Sequence, residues 1–147
     1  MQNSFKDQQR DFYLLWSQIN IIYSRWAEHL GVPYDTLITL YGLDIHGCMT
    51  QKNICDFYGF PKQTVNGIIR RLKNDGYISL ETNPADKREK LVSLTDSGSA
   101  YAKELLAPLY QAEQHTFSEV GGQRLSQMLE TIDLFNNSMK KFLEGSK

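Results

Sequence analysis

The sequence predicts a mainly α-helical fold with one small β-hairpin. Three observations predict it. Apolar residues recur at steps of three and four in long stretches at both ends of the chain. Between them, residues 50–74 hold two short amphipathic segments separated by Gly59 and Pro61. Residues 77–94 then alternate polar and apolar on either side of a polar loop. A short helix, a glycine turn, a second helix with a polar outer face and a hairpin, in that order, make a winged helix-turn-helix flanked by terminal helices.

Residues 6–30 read as one long helix, because Phe12, Trp16, Ile19, Tyr23, Trp26 and Leu30 draw a single apolar stripe. Gly31 and Pro33 end it. A second helix over 34–45 carries Leu37, Ile38, Tyr41 and Ile45 and is closed by Gly47. Thr50 is suited to cap a short third helix, with Ile54, Phe57 and Tyr58 turned inward. Gly59 breaks that helix, and Pro61 fits the first turn of the next. In the fourth helix Val65, Ile68, Ile69 and Leu72 form the buried face, while Lys62, Gln63, Asn66, Arg70 and Lys73 lie opposite. Asp75-Gly76 stops it. Residues 77–81 and 90–94 alternate as strands, and the polar, Pro84-containing segment 82–89 suits the loop between them. Thr95 is placed to cap a fifth helix over 96 to about 117, kinked at Pro108. Gly121-Gly122 separates a last helix, about 123–143, in which Leu125, Met128, Ile132, Phe135, Met139 and Phe142 again step by three and four.

A chain of 147 residues is enough for one domain with its own core. Hydrophobic content of 41% and charged content of 22% are those of an ordinary globular protein. No secretory signal and no membrane-spanning run is evident, so the cytoplasm is the expected location. The formal net charge is −1, but its distribution is uneven: residues 61–90 hold seven Lys and Arg against four Asp and Glu. A basic segment in an acidic body steers a polyanion to one face. Within the single domain 1–147, residues 34–95 form the expected DNA-binding lobe, and 1–33 with 96–147 the expected dimerisation helices. A winged-helix module needs only about 70 residues. The terminal stripes therefore pack either on the chain's own core or on a second copy, and the surplus of helix favours the second copy.

An α-helix with a polar outer face and an anchored inner face fits the major groove, where base edges can be told apart. Residues 61–73 meet both conditions. Lys62, Gln63 and Asn66 lie on the first turns, where such a helix usually meets bases. Gln and Asn can pair bidentately with adenine, and Lys or Arg with guanine. Thr64 can donate to a phosphate, and Thr50, Lys52, Arg70 and Lys73 complete the expected DNA-contacting set. Gly67 permits either close approach of backbone to DNA or tight helix packing. At the hairpin tip, Lys87 and Arg88 suit the minor groove or a phosphate. Asp86 is out of place against DNA and is expected to brace Arg88 or another arginine. Taken alone, these three residues would read as a solvated loop.

With those residues in place, the chain resembles the MarR family of bacterial transcriptional regulators over nearly its whole length. The resemblance rests on Thr50-Gln51, Gln63-Thr64-Val65, Leu72 through Asp75-Gly76-Tyr77, and Pro84-x-Asp86-x-Arg88 running to Leu94-Thr95-x-x-Gly98. It implies an obligate homodimer on a pseudopalindromic double-stranded operator, usually repressing, with the recognition helix at residues 61–74 and a wing arginine at Arg88. It also implies release of DNA by a small phenolic or similar compound, or by cysteine oxidation. Three positions depart from the family pattern. Asn53 stands where a Glu usually closes the capping box, which weakens that cap. Lys87 stands for an arginine and loses its fork. Gly121-Gly122-Gln123 replaces paired acids, giving a looser junction.

The sensing element is less defined. Tyr13, Trp16, Tyr23, Tyr34 and Tyr41 can wall an aromatic effector pocket, or simply be core. Cys48, in a loop beside His46, is the candidate reactive thiol, since a nearby imidazolium lowers a thiol pKa. Cys55 sits where a small apolar residue packs and reads as an inert thiol. His29, His46, Cys48, Cys55 and His115 show no zinc-site spacing, so no metal is expected. No cofactor and no catalytic motif is evident, and an enzyme is not expected. The rival reading is a winged-helix module that binds protein, which requires a neutral or apolar outer face on 61–73.

Overall fold

A computed structural model describes residues 4–146. Ser4 opens α1 (Phe5–Leu30) through a reciprocal cap: its hydroxyl accepts from the Asp7 N–H at 3.3 Å and its N–H donates to the Asp7 carboxylate at 3.2 Å. α2 (Tyr34–His46) is followed by β1 (Cys48–Thr50), α3 (Gln51–Tyr58) and α4 (Lys62–Asn74). Then come β2 (Ile78–Thr82), β3 (Lys90–Leu94), α5 (Asp96–Val120) and α6 (Gly122–Gly145). The mainly α fold with a small antiparallel sheet is the one expected from the sequence.

The sheet has one strand more than the hairpin. Its order is β1-β3-β2, and β1 pairs with β3 so that Cys48 faces Ser93 and Thr50 faces Leu91. Cys48, expected in a loop, is thus in an edge strand. Three residues are too few to display a period of two, so β1 left no pattern to read. Thr50 ends β1 and caps α3 at once. Its hydroxyl accepts from the Asn53 N–H at 3.0 Å, and the Asn53 side chain accepts from the Thr50 N–H at 3.1 Å. Both limbs of the capping box form with the shorter Asn53 in the Glu position.

The core of this lobe gathers Leu40 and Leu43 of α2, Met49 of β1, Ile54 of α3, all four expected residues of α4, Ile78 of β2 and Val92 of β3. Phe57 does not join them. It was expected to turn inward but is 61% exposed, because Ile54 and Tyr58, one turn apart, already occupy the single face that an eight-residue helix can bury. Tyr58 instead lies over α2 at Gly42, where any Cβ would overlap the phenol oxygen. Burial raises the Tyr58 pKa.

The chain forms two compact units, Met1–Leu106 and Ala107–Lys147. In the first, α1 packs on α2 but buries only Ala27. Phe12, Trp16 and Ile19 of its apolar stripe remain exposed, as do Leu14, Leu15, Ile21 and Ile22 outside it. In the second, α6 has no buried residue, and Leu129, Leu134, Met139, Phe142 and Leu143 are exposed. α5 continues through Pro108 to Val120, three residues past its expected end.

Candidate nucleic-acid interface

α4 is built to show one face. Val65, Ile68, Ile69 and Leu72 anchor it in the core, which leaves Lys62, Gln63, Arg70, Arg71 and Lys73 exposed and Thr64 and Asn66 half-buried at the margin. Pro61 sits at the cap, one position before the helix rather than in its first turn. Gly67 lies among Gln63, Thr64, Arg70 and Arg71 on the helix surface. A Cβ there would meet nothing within 4 Å. Tight packing within the chain is therefore not the reason for this glycine, which removes one of its two sequence-level explanations.

The loop between β2 and β3 is folded by its own side chains. The Asn83 N–H donates to Glu89 O at 3.1 Å and its amide to the Glu89 carboxylate at 3.2 Å, while the Ala85 N–H donates to the Asn83 side chain at 3.0 Å. At the tip the Arg88 N–H donates to the Asp86 carboxylate at 3.0 Å, with the Arg88 Nε 3.4 Å from the same oxygen. The Arg88 side chain is otherwise 92% exposed. Lys87 projects from the same tip and is exposed.

α3, α4 and this loop enclose a cleft of about 400 Å³, lined by Thr50, Gln51, Lys52, Cys55, Lys62, Asn66, Arg88, Glu89 and Lys90. Five of the expected contact residues, Thr50, Lys52, Lys62, Asn66 and Arg88, converge there. Gln63, Thr64, Arg70, Lys73 and Lys87 lie outside it. Lys52 is held by Asp56 at 2.6 Å one helical turn away, and that hydrogen bond together with the carboxylate charge raises its pKa. Lys90, which the sequence offered as a strand residue and as part of the basic segment but not as a DNA contact, is a cleft residue, and its ammonium donates to Thr82 at 3.0 Å. Its place beside Arg88 at the first outward position of a strand was the available signal. Cys55 packs against the core and also borders the cleft, while Cys48 is exposed.

Of the five aromatic residues expected to wall an effector pocket, Tyr13, Trp16 and Tyr23 lie on α1 and Tyr34 and Tyr41 on α2. Tyr13 is 70% exposed and Trp16 is stacked on Phe12, with centroids 6.5 Å apart. Tyr34 meets Phe60 edge to face at 6.2 Å, and Tyr23 and Tyr41 are half-buried. A shallow groove of about 340 Å³ runs along Ile22, Arg25, Trp26 and His29 of α1. Among the described residues no three His, Cys, Asp or Glu side chains cluster as metal ligands, and no helix is long and apolar enough to cross a membrane.

Comparison with known proteins bears on this geometry directly. Residues 30–89, which contain α2, the sheet's first strand and both helices of the cleft, match the MarR family model. The chain is 35% identical to the HTH-type transcriptional repressor NicR of Pseudomonas putida over 43% of its own length, and that match spans only 40% of NicR. It is 34% identical to the HTH-type transcriptional regulator YdcH of Bacillus subtilis, covering 72% of this chain and 77% of that one. Its structure is similar to that of NMB1585, a MarR family regulator from Neisseria meningitidis, with a TM-score of 0.84 at 28% identity, over 95% of this chain and 99% of the other. The helix pair and most of the hairpin thus match the family in sequence, the chain as a whole matches in fold, and it belongs to the MarR family of DNA-binding transcriptional regulators.

Proposed function

We propose that the chain is a dimeric, sequence-specific repressor that reads a pseudopalindromic operator. α4 enters the major groove and the β2–β3 loop reaches the adjacent minor groove or phosphates. The observation that carries this reading is the cleft lined by Lys52 of α3, Lys62 of α4, and Arg88 and Lys90 of the hairpin, beside Thr50, Asn66 and Glu89. Cations converging from a helix pair and a hairpin suit a phosphate backbone that passes between them. Gln63 and Asn66 then read base edges, Thr64, Arg70, Lys73 and Lys87 hold the flanking backbone, and Asp86 braces Arg88. The exposed face of α4 is polar and basic, which disfavours the protein-binding alternative.

Among structures of similar fold, S. aureus MepR is seen in a DNA-binding conformation, and the DNA binding of Bordetella bronchiseptica BpsR is regulated by 6-hydroxynicotinic acid. The uncovered apolar faces of α1 and α6 support a second copy as their occupant here, related by a two-fold axis. The axis would set two α4 helices on half-sites roughly 34 Å apart, one turn of duplex. In this reading the protein acts in the cytoplasm, and a small aromatic or phenolic effector releases the DNA. Arg25, Trp26 and His29 in the α1 groove offer such a ligand a charge and a ring face.

Selection of duplexes from a randomised library by the purified chain tests this function. A recovered pseudopalindrome supports it. A retained pool with no common sequence, or no retained pool, would overturn it.

A further inference from the structure

The end of α4 and the start of α5 meet at a joint around Gly76 and Thr95. α4 closes with two backbone bonds, the Gly76 N–H to Lys73 O at 3.0 Å and the Tyr77 N–H to Leu72 O at 2.9 Å, around Gly76 at φ 77°. Thr95 takes up both carbonyls that emerge from this turn. Its N–H donates to Tyr77 O at 3.0 Å, and its hydroxyl donates to Gly76 O at 2.7 Å. The same hydroxyl oxygen accepts from the Gly98 N–H at 3.0 Å and so caps α5. Gly98 is buried against the Tyr77 backbone: an added Cβ would overlap the Tyr77 carbonyl and come within 2.9 Å of its Cα. One turn further, Tyr101 stacks on Tyr77 with centroids 4.3 Å apart and planes 3° from parallel.

Three different restraints meet there. The Thr95 bonds fix the distance between the two helix ends. The missing Cβ at Gly98 sets how closely they approach. The ring stack opposes rotation of α5 about its axis. Hydrogen bonds alone would leave a pivot, and the stack together with the tight contact removes it.

We propose that Gly98 and Tyr101 are positioning residues for DNA reading, locking the first turns of α5 to α4 so that the two move as one body. The inference rests on α4 being the helix that lies in the groove. Neither residue touches DNA. Their leverage is geometric: Lys62, at the far end of α4, is about 18 Å away along the helix by its rise per residue. A tilt of about 10° at the joint carries that end about 3 Å, enough to break a hydrogen bond to a base edge. The angle of α4 in the groove therefore follows the first turns of α5, whose Tyr101 and Leu105 also pack against the core that holds α4.

Spin labels at Lys73→Cys and Lys103→Cys, in the full chain on a Cys48→Ser, Cys55→Ala background, report the α4–α5 distance within one chain. Affinity for the duplex selected by the wild type is measured in parallel, for Tyr101→Phe, Tyr101→Ala and Gly98→Ala without labels. Tyr101→Phe keeps the stack and is expected to match the wild type in both readouts. Tyr101→Ala and Gly98→Ala are expected to stay folded by circular dichroism, to broaden the distance distribution, and to weaken duplex binding by about 10-fold or more. Their salt slope is expected to stay unchanged, because no phosphate contact is removed. If either alanine variant does not fold, Tyr101→Leu, which keeps apolar bulk without a stacking face, takes its place. Folded variants with an unbroadened distribution would overturn the rigid joint. A broadened distribution with unchanged affinity would overturn its role in positioning. A wild type that retains no duplex would sink the DNA reading itself, and the label distances would still report separately on the joint.

Discussion

The Asp86 carboxylate accepts from the Arg88 backbone N–H at 3.0 Å and lies 3.4 Å from its guanidinium Nε. The first contact shapes the loop, and the second aims the side chain. An exposed ion pair of this length is worth little by itself, so the bond to the backbone is the more consequential one. Asp86→Asn keeps an oxygen for the Arg88 N–H and is expected to retain most duplex affinity. Asp86→Ala loses it and is expected to bind more weakly. Arg88→Ala is expected to weaken binding further and to lower the salt slope by about one phosphate contact, with fold and oligomeric state unchanged. Titrations of the three variants at several salt concentrations check this order, and unchanged affinity for Arg88→Ala at moderate salt contradicts the wing assignment.

Gly67 costs the isolated helix about 1 kcal/mol relative to alanine, and nothing in the chain needs the space. In the proposed reading the glycine serves close approach of the α4 backbone to DNA. Gly67→Ala is expected to raise stability by up to about 1 kcal/mol while weakening duplex binding. Thermal unfolding and a binding titration on the same preparation give the two signs. Stabilisation with unchanged affinity would leave this glycine without a functional role.

Gln63→Ala and Asn66→Ala each remove one amide that can pair with a base edge. Each is expected to relax preference at a single operator position by about 1–3 kcal/mol, with the other positions unaffected. Competition among single-base variants of the selected duplex measures this. If preference were unchanged at every position, the reading face of α4 is misplaced.

Burial raises the pKa of Tyr58, and burial with the neighbouring charges of Tyr77 and Asp75 raises that of Tyr101. A raised phenol is neutral in the folded chain over a range where the unfolded chain has begun to ionise. Its contribution is fully present below the ordinary value of about 10 and is lost as pH rises through the folded value. Stability is therefore expected to be insensitive to these two groups at neutral pH and to fall above about pH 10, less steeply in the Tyr58→Phe, Tyr101→Phe double variant. Chemical denaturation across that range checks it, and identical slopes for both proteins contradict it.

The inner face of α4 was legible because Val65, Ile68, Ile69 and Leu72 repeat at helical spacing within a single element. The α3 cap and the glycine stops were legible because each depends on residues within a few positions of one another. What escaped depended on distant partners. β1 is strand only because β3 lies beside it, and Phe57 is exposed only because Ile54 and Tyr58 take the buried side. The cleft escaped in part as well. Lys90 and Cys55 border it through the packing of α3, α4 and the hairpin, which no spacing along the chain encodes.

Sedimentation equilibrium of the chain with the fluorescently labelled duplex selected by the wild type tests the central claim most directly. Two chains per duplex, with a dimer already present at micromolar concentration in the absence of DNA, is the predicted result. A folded monomer that binds as one chain per duplex, or a chain that does not associate with the duplex at all, would contradict it.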